Sequence, residues 1–240
     1  MQFDPTNPLH AYFQNNGGRL VDKWFHYLDV YHRHFARYRG RQFTMVEVGV
    51  YHGGSLQMWR QYFGPGARII GVDVNPRCKS LEEPGIEIVI GDQSNPQFLN
   101  ELRQRVGKID ILLDDGGHTM QQQLVTFTTL FPYVDPNGIY LCEDCHTSYW
   151  REFGGGFRHT NSFIEVMKGL IDQLNAFCSK DPNSFAPSTF TRGVNSMHFY
   201  DSIVVIEKQM RDEPKRVICG TPSFPDVWDG GDRLTDAAKG

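Results

Sequence analysis

Five short runs of β-branched and aliphatic residues recur through the middle of this chain, and their spacing restricts the fold more than any other feature. They are "TMVEVGV", "ARIIGVDV", "IEIVIGD", "IDILLDD" and "GIYLCED". Each is apolar almost throughout rather than alternating, the mark of a strand buried on both faces, and the gaps between them are long enough for helices. This alternation predicts a parallel sheet with right-handed crossovers. Further on, "SMHFYDSIVVIEK" reads as two strands, about 196–200 and 202–208, joined too tightly for a crossover, so an antiparallel hairpin is expected at the sheet's end.

Upstream, "GRLVDKWFHYLDVYHRHFARYRGR" carries Leu20, Trp24, Tyr27, Leu28, Tyr31 and Phe35 at the three-and-four spacing of an amphipathic helix over 18–40. With 240 residues, 40 % of them hydrophobic, the chain can bury one full core. One domain over 1–240 is therefore expected, with a core at 44–208 and a polar extension at 209–240 whose end "TDAAKG" frays. Net charge is −4, so no global positive field exists to hold a nucleic acid. No signal-peptide pattern opens the chain and no apolar run approaches the roughly 18 residues of a membrane span, so a soluble, cytoplasmic protein is expected. The five cysteines are odd in number and scattered, which predicts free thiols. Cys142 and Cys145 form a C-x-x-C but lack the second pair of a four-thiolate zinc site, and read as small strand-end residues.

Ligands of an open parallel sheet sit beyond the carboxyl ends of its strands, so those ends are best read together. Strand one ends in "EVGVYHGGS", where Gly49, Gly53 and Gly54 allow a tight turn and Ser55 opens a helix whose free N–H groups suit a carboxylate. The spacing G-x-x-x-G-G differs from the G-x-G-x-x-G of dinucleotide enzymes, and alone it fits a purely structural turn equally well. Glu47 precedes it, Asp73 closes strand two and Asp92 with Gln93 follows strand three. Asp73 can accept two ribose hydroxyls, and Asp92 and Gln93 can bond an adenine edge. An adenosine with an amino-acid tail would use all these stations, and Tyr51 and Asp114 complete the candidate set.

"MVEVGVYHGGSLQMW", "IIGVDV", "IGDQSNPQF", "ILLDDGGHTM", "GIYLCEDCHTSYW" and "HFYDSIVVIEK" together resemble the class I S-adenosylmethionine-dependent methyltransferases. Within that class the chain is most similar to the magnesium-dependent sugar O-methyltransferases of macrolide biosynthesis, the mycinamicin type. The resemblance spans roughly residues 20 to 208. It implies a Rossmann-like, doubly wound seven-stranded α/β sheet, with S-adenosylmethionine at the first three strand ends and Mg2+ at the fourth and fifth. One larger, two-domain relative carries an N-terminal domain that these residues do not match.

The residues lead to the same ion by another route. Neighbours on a strand point to opposite faces, so Asp114 and Asp115 divide the work. Asp114 faces the cofactor side or buttresses a helix, while Asp115 joins Glu143 and Asp144 in a three-carboxylate cluster. Such a cluster repels itself unless a cation sits within it. All-oxygen ligands imply a hard ion; magnesium suits, and ligand type leaves calcium and manganese open. Helix capping is the competing explanation for any one Asp, but less so for acids on two neighbouring strand ends.

An alcohol is a feeble nucleophile near neutral pH, so methyl transfer to oxygen needs a base. His118, three residues after Asp115, enters the next helix beside the expected ion, with His146, His52 and His198 as rivals in that order. The resemblance assigns the role to His118. In "HTSYWREFGGGFRHTNSF", Tyr149 and Trp150 are candidates to stack on a sugar, followed by Arg151 and a Gly154–Gly156 run suited to a lid; an ordinary connection with a core Trp is the plain alternative. The basic stretch "HRHFARYRGR" reads as a solvated helix end, with contact to a phosphate or nucleotide group as the alternative. The expectation is O-methylation of a hydroxyl on a sugar or sugar-bearing natural product by a homo-oligomer. A non-sugar hydroxyl such as a catechol or β-lactam intermediate, a nicotinamide-dependent oxidoreductase and a non-catalytic binding subunit are the alternatives.

Overall fold

In a computed structural model, which describes residues 3–221, 223 and 232–233, the five runs become strands β1 (Phe43–Val48), β2 (Ala67–Asp73), β3 (Ile86–Ile90), β4 (Ile109–Asp114) and β5 (Val134–Cys142). The hairpin supplies β6 (Val194–Tyr200) and β7 (Ile203–Lys208). Together they form a seven-stranded sheet in the order β3-β2-β1-β4-β5-β7-β6. The first five strands run parallel and β7 inserts antiparallel between β5 and β6. The expected α/β architecture is thus present, down to its antiparallel end.

Side chains leave each central strand alternately upward and downward, which gives the sheet two apolar faces. Met45, Ile69, Ile111 and Ile139 pack beneath helices α1 (Pro8–Asn15), α2 (Tyr27–Phe35) and α3 (Gly54–Phe63). Val46, Ile70, Leu112 and Tyr140 face α4 (Pro96–Val106), α5 (Met120–Leu130) and α6 (Phe163–Leu174). All of β4 is buried. Each such aliphatic side chain contributes about 1.5–3 kcal/mol by leaving water, enough for the runs to dictate both their strands and their layer order. Backbone bonds extend past the paired residues, from Gly49 N–H to the Val72 carbonyl, Asp115 N–H to Val48 and Glu143 N–H to Asp114. The ends of β1, β2, β4 and β5 therefore lie level along one rim.

Two stretches before β1 depart from expectation. The helix expected over 18–40 is confined to Tyr27–Phe35 with a short 3-10 turn after it; residues 18–24 form an irregular strap, with Leu20 56 % and Trp24 49 % exposed. Tyr27, Leu28, Tyr31 and Phe35 do form the buried stripe. The apolar spacing continues into the strap, but the strap is seated by polar bonds instead. Arg19 N–H reaches Gln57 Oε1 at 3.1 Å, and the Arg19 guanidinium reaches the Leu81 carbonyl at 2.8 Å. Helix α1 was not expected, although its signal is present: Asn7 caps it by accepting from Leu9 N–H, and Pro8 opens its first turn. The expected fraying of "TDAAKG" lies outside the described residues.

Candidate active site at the strand ends

A cavity of about 860 Å³ opens above the rim. It is lined by the loops after β1 to β5 and, on one side, by the strap from Leu20 to Trp24. Glycines make this junction possible. At Gly54, a side chain would strike the Leu20 carbonyl, so the strap lies directly on the first turn of α3. At Gly49 (φ +98°) a Cβ would collide with the Asp115 carbonyl. Its close approach is thus to the neighbouring strand end rather than to a ligand.

The cofactor candidates fall into two groups. Gly49, Tyr51, Ser55, Asp73, Asp92 and Gln93 reach the cavity wall, while Glu47, Gly53 and Asp114 do not. Asp73 Oδ2 accepts the N–H groups of Val50 (2.9 Å) and Tyr51 (3.1 Å), and Oδ1 accepts that of Asn75 at 2.8 Å. These bonds hold Tyr51 at a positive φ of 51° and leave lone pairs of the carboxylate facing the cavity rim. Glu47 lies beneath α3, where its carboxylate accepts the Trp59 indole N–H at 3.0 Å. Burial pushes it up to about 7, against the pull of Lys23. It acts on the sheet interior, two residues too early to reach the rim.

Gln93 touches the cavity but spends its amide on the fold. Its Oε1 accepts Gly117 N–H at 2.7 Å, and its Nε2 donates to Asp114 at 3.0 Å and Thr126 at 3.1 Å. Of the expected adenine pair, only Asp92 is left facing outward, with one oxygen bonded to Ser94 N–H. Asp114 takes the buttressing alternative: it is buried against Gln93, and loss of hydration raises it to about 7. Gly53 sits in the left-handed region as the cap of α3, packed against Arg19 and Leu81.

The loops after β4 and β5 carry the charge. Asp115, His118 and Asp144 each bring one donor atom to within 4.8 Å of the others. Local structure explains how. Thr119 caps α5 in a reciprocal capping box with Gln122, which fixes His118 just outside the helix at φ 59°. The Thr147 hydroxyl donates to the His118 carbonyl at 2.8 Å, tying this loop to the turn after β5, where Asp144 also has a left-handed φ of 52°. Two of the non-glycine residues with strained backbone thus sit in the cluster itself, as expected where a site is over-determined by its surroundings. His118 Nε2 lies 3.4 Å from Asp144 Oδ2, and its buried Nδ1 has no partner.

Glu143 lies behind these three. Its Oε1 accepts the Tyr31 hydroxyl at 2.5 Å and its Oε2 the Lys23 ammonium at 3.0 Å. Lys23 also bonds Asp115, and Tyr27 donates to Asp144 Oδ1 at 2.7 Å. Burial pulls the Lys23 ammonium down, but Asp115, Glu143 and Glu47 more than reverse this and hold it above the usual lysine range. Burial, then the Asp115 charge, drives Glu143 well above the usual carboxylate range, against Lys23 and Tyr31. The cluster therefore already holds a cation, and the lone pairs left on its three carboxylates suit a hard ion. Lys23, Tyr27 and Tyr31 escaped the sequence reading. Lys23 is separated from its partners by 92 and 120 residues, and the two tyrosines read as ordinary members of an apolar stripe.

The remaining candidates lie outside the cavity wall. His146 is 4.0 Å from Asp144 Oδ1, stacks on Trp24 (centroids 5.1 Å apart) and meets Trp150 edge-on at 4.7 Å. Trp150 and Tyr149 are 44 % and 52 % exposed. The glycine run is pinned rather than open: Gly155 N–H bonds the Trp150 carbonyl and Gly156 N–H that of Ser148. His52 stacks edge-on with Tyr51, and His198 lies in a separate cluster on β6.

The sheet order, with a ligand-sized cavity beyond its strand ends, is that of the α/β methyltransferase fold. Comparison with known proteins agrees: residues 46–145 match the family Methyltransf_24, a methyltransferase domain. It is 38 % identical over 200 residues to the 8-demethyl-8-alpha-L-rhamnosyl tetracenomycin-C 2'-O-methyltransferase of Streptomyces olivaceus, covering 78 % of this chain and 52 % of that protein. With the demethylmacrocin O-methyltransferase of Streptomyces fradiae it shares 35 % over 207 residues, 81 % of this chain and 52 % of the other. The chain thus spans about half the length of these curated relatives. Among solved structures, the MycE methyltransferase of the mycinamycin biosynthetic pathway, in complex with Mg, SAH and mycinamycin VI, superposes with a TM-score of 0.75 at 31 % identity, over 91 % of this chain and 55 % of that one.

Proposed function

We propose that this chain transfers a methyl group from S-adenosylmethionine to a hydroxyl on a sugar of a glycosylated natural product, assisted by Mg2+. One observation carries the reading: the ligand-sized cavity and the Asp115–His118–Asp144 cluster share one rim, in a chain similar to enzymes named for sugar O-methylation. Asp73, Asp92, Ser55 and the Gly49–Tyr51 loop would hold the cofactor, which supplies an electrophilic methyl. Asp115, Glu143 and Asp144 would hold magnesium, which when bound lowers the pKa of a hydroxyl. Lys23 and Tyr31 steady Glu143, and Tyr27 steadies Asp144.

His118 is the proposed base. Its imidazole would take the hydroxyl proton, and the Asp144 carboxylate, 3.4 Å from Nε2, would stabilise the imidazolium so formed. Trp24 on the cavity wall, and Trp150 across His146 from it, offer aromatic faces for a sugar, with Tyr149 exposed next to Trp150 in the chain. Five free cysteines, and the lack of any helix among the described residues long and apolar enough to cross a membrane, support a cytoplasmic setting. The net charge of −4 supports a small-molecule acceptor over nucleic acid.

The test is transfer of labelled methyl from S-adenosylmethionine to rhamnosyl tetracenomycin, demethylmacrocin and mycinamicin VI, each beside its aglycone. Label on a glycoside and not its aglycone, abolished by chelator, is the expected result. Label on a catechol but on no glycoside would move the acceptor to a non-sugar hydroxyl.

A further inference from the structure

A second cluster of metal-ligating side chains lies away from the cavity, where α2 crosses the β6–β7 hairpin. His34, His198 and Glu207 each bring one donor atom to within 4.8 Å of the others. The sheet register builds it. Ser196, His198 and Tyr200 alternate along β6 and so share one face, and Ser196 pairs with Glu207 across the hairpin. The buried His34 descends onto that face from α2. Its Nδ1 is 2.9 Å from Glu207 Oε1 and its Nε2 2.9 Å from the Tyr200 hydroxyl. The His198 ring stands 4.7 Å from that of His34, at 62°.

We propose that His34, His198 and Glu207 form a binding site for a borderline divalent transition ion of the zinc type, clamping α2 to the edge hairpin of the sheet. Donor chemistry selects the ion. Two imidazoles and one carboxylate match the ligands that zinc takes, whereas magnesium seeks an oxygen shell. Imidazole ligates in its neutral form. On binding, the ion replaces one of the two hydrogen bonds of His34, and a fourth position stays open for water or the Tyr200 hydroxyl. Position gives the site its consequence. β6 is an edge strand, and α2 is also the helix whose Tyr27 and Tyr31 grip Asp144 and Glu143. A clamp at the far end of α2 would fix the helix that positions the acidic cluster.

The experiment titrates Zn2+ into the chelator-stripped full chain in excess Mg2+, which keeps the oxygen-rich cluster occupied, and follows heat and thermal midpoint. Co2+ serves as a coloured second probe. The wild type should bind one Zn2+ that raises the midpoint, and Co2+ should give a visible band. His198→Ala, on the half-buried edge, should weaken this binding at least tenfold and remove both the rise and the band, as should Glu207→Gln. Should His34→Gln fail to fold, His198→Ala still decides. Zn2+ binding unchanged in His198→Ala and Glu207→Gln, or none in the wild type, would overturn the proposal and leave the cluster a hydrogen-bonded brace.

Discussion

The two halves of the strand-end rim handle negative charge in opposite ways. After β2, Asp73 is met by three backbone N–H groups from its own and the neighbouring loop, so its charge is balanced by the fold itself. After β4 and β5, Asp115, Glu143 and Asp144 are met by side chains brought from α2 and the strap, and one of these is a full cation, Lys23. Backbone dipoles are part of the local turn and come with it. A buried cluster of like charges needs an ion from elsewhere. The first half therefore needs no added ion to balance its charge, and the second is built to exchange or share a cation.

This contrast is most severely tested by turnover. Stripping divalent ions should abolish methyl transfer, with Mg2+ restoring it; full turnover after verified removal would leave Lys23 as the only cation the cluster needs. His118→Ala should slow single-turnover transfer by about 10²–10⁴-fold while sparing cofactor affinity, as expected for the loss of a positioned base. His146→Ala is the matched control, because His146 packs between Trp24 and Trp150 outside the cavity wall. A larger loss in the control would move the base to the β5 loop.

Lys23→Met probes the second half without replacing a proposed ligand. Removing the ammonium leaves buried carboxylates unbalanced and should destabilise the metal-free protein by about 3–5 kcal/mol in urea unfolding. Mg2+ should recover part of that loss. Equal stability of variant and wild type without metal would mean that the contact contributes nothing. Glu47→Gln is the mildest probe. The Glu47 pKa stands at about 7 when folded against an ordinary 4.5, so folding favours its protonated form. Its contribution is full below about 4.5 and is lost as pH rises toward 7. The urea midpoint should fall less between pH 5 and pH 7 in the variant than in the wild type.

Legibility in the sequence divides along the same line. Strands β1 to β5, the hairpin and the rim acids were readable because buried strands are apolar over consecutive residues and the acids end those runs. What sequence did not convey was direction. Gln93 follows a strand as an adenine-binding residue would, yet its amide turns inward to Gly117, Asp114 and Thr126. Glu47 and Asp114 occupy strand positions whose faces point into the layers beneath helices, which only the packed sheet reveals. Lys23 sits in an apolar pattern that fits a helix, yet it lies outside one, bonded to partners more than 90 residues away. Long-range charge overrode local periodicity there.

The most direct test of the divided rim is calorimetric titration of S-adenosylmethionine and, separately, Mg2+ into wild type, Asp73→Ala and Asp144→Ala. Asp73→Ala should weaken the cofactor about tenfold, through the loss of one or two hydrogen bonds of about 0.5–1.5 kcal/mol each, and leave Mg2+ binding intact. Asp144→Ala should do the reverse, losing Mg2+ while holding the cofactor within a few-fold of wild type. Loss of cofactor binding in Asp144→Ala, with Mg2+ still bound as in the wild type, would contradict the division.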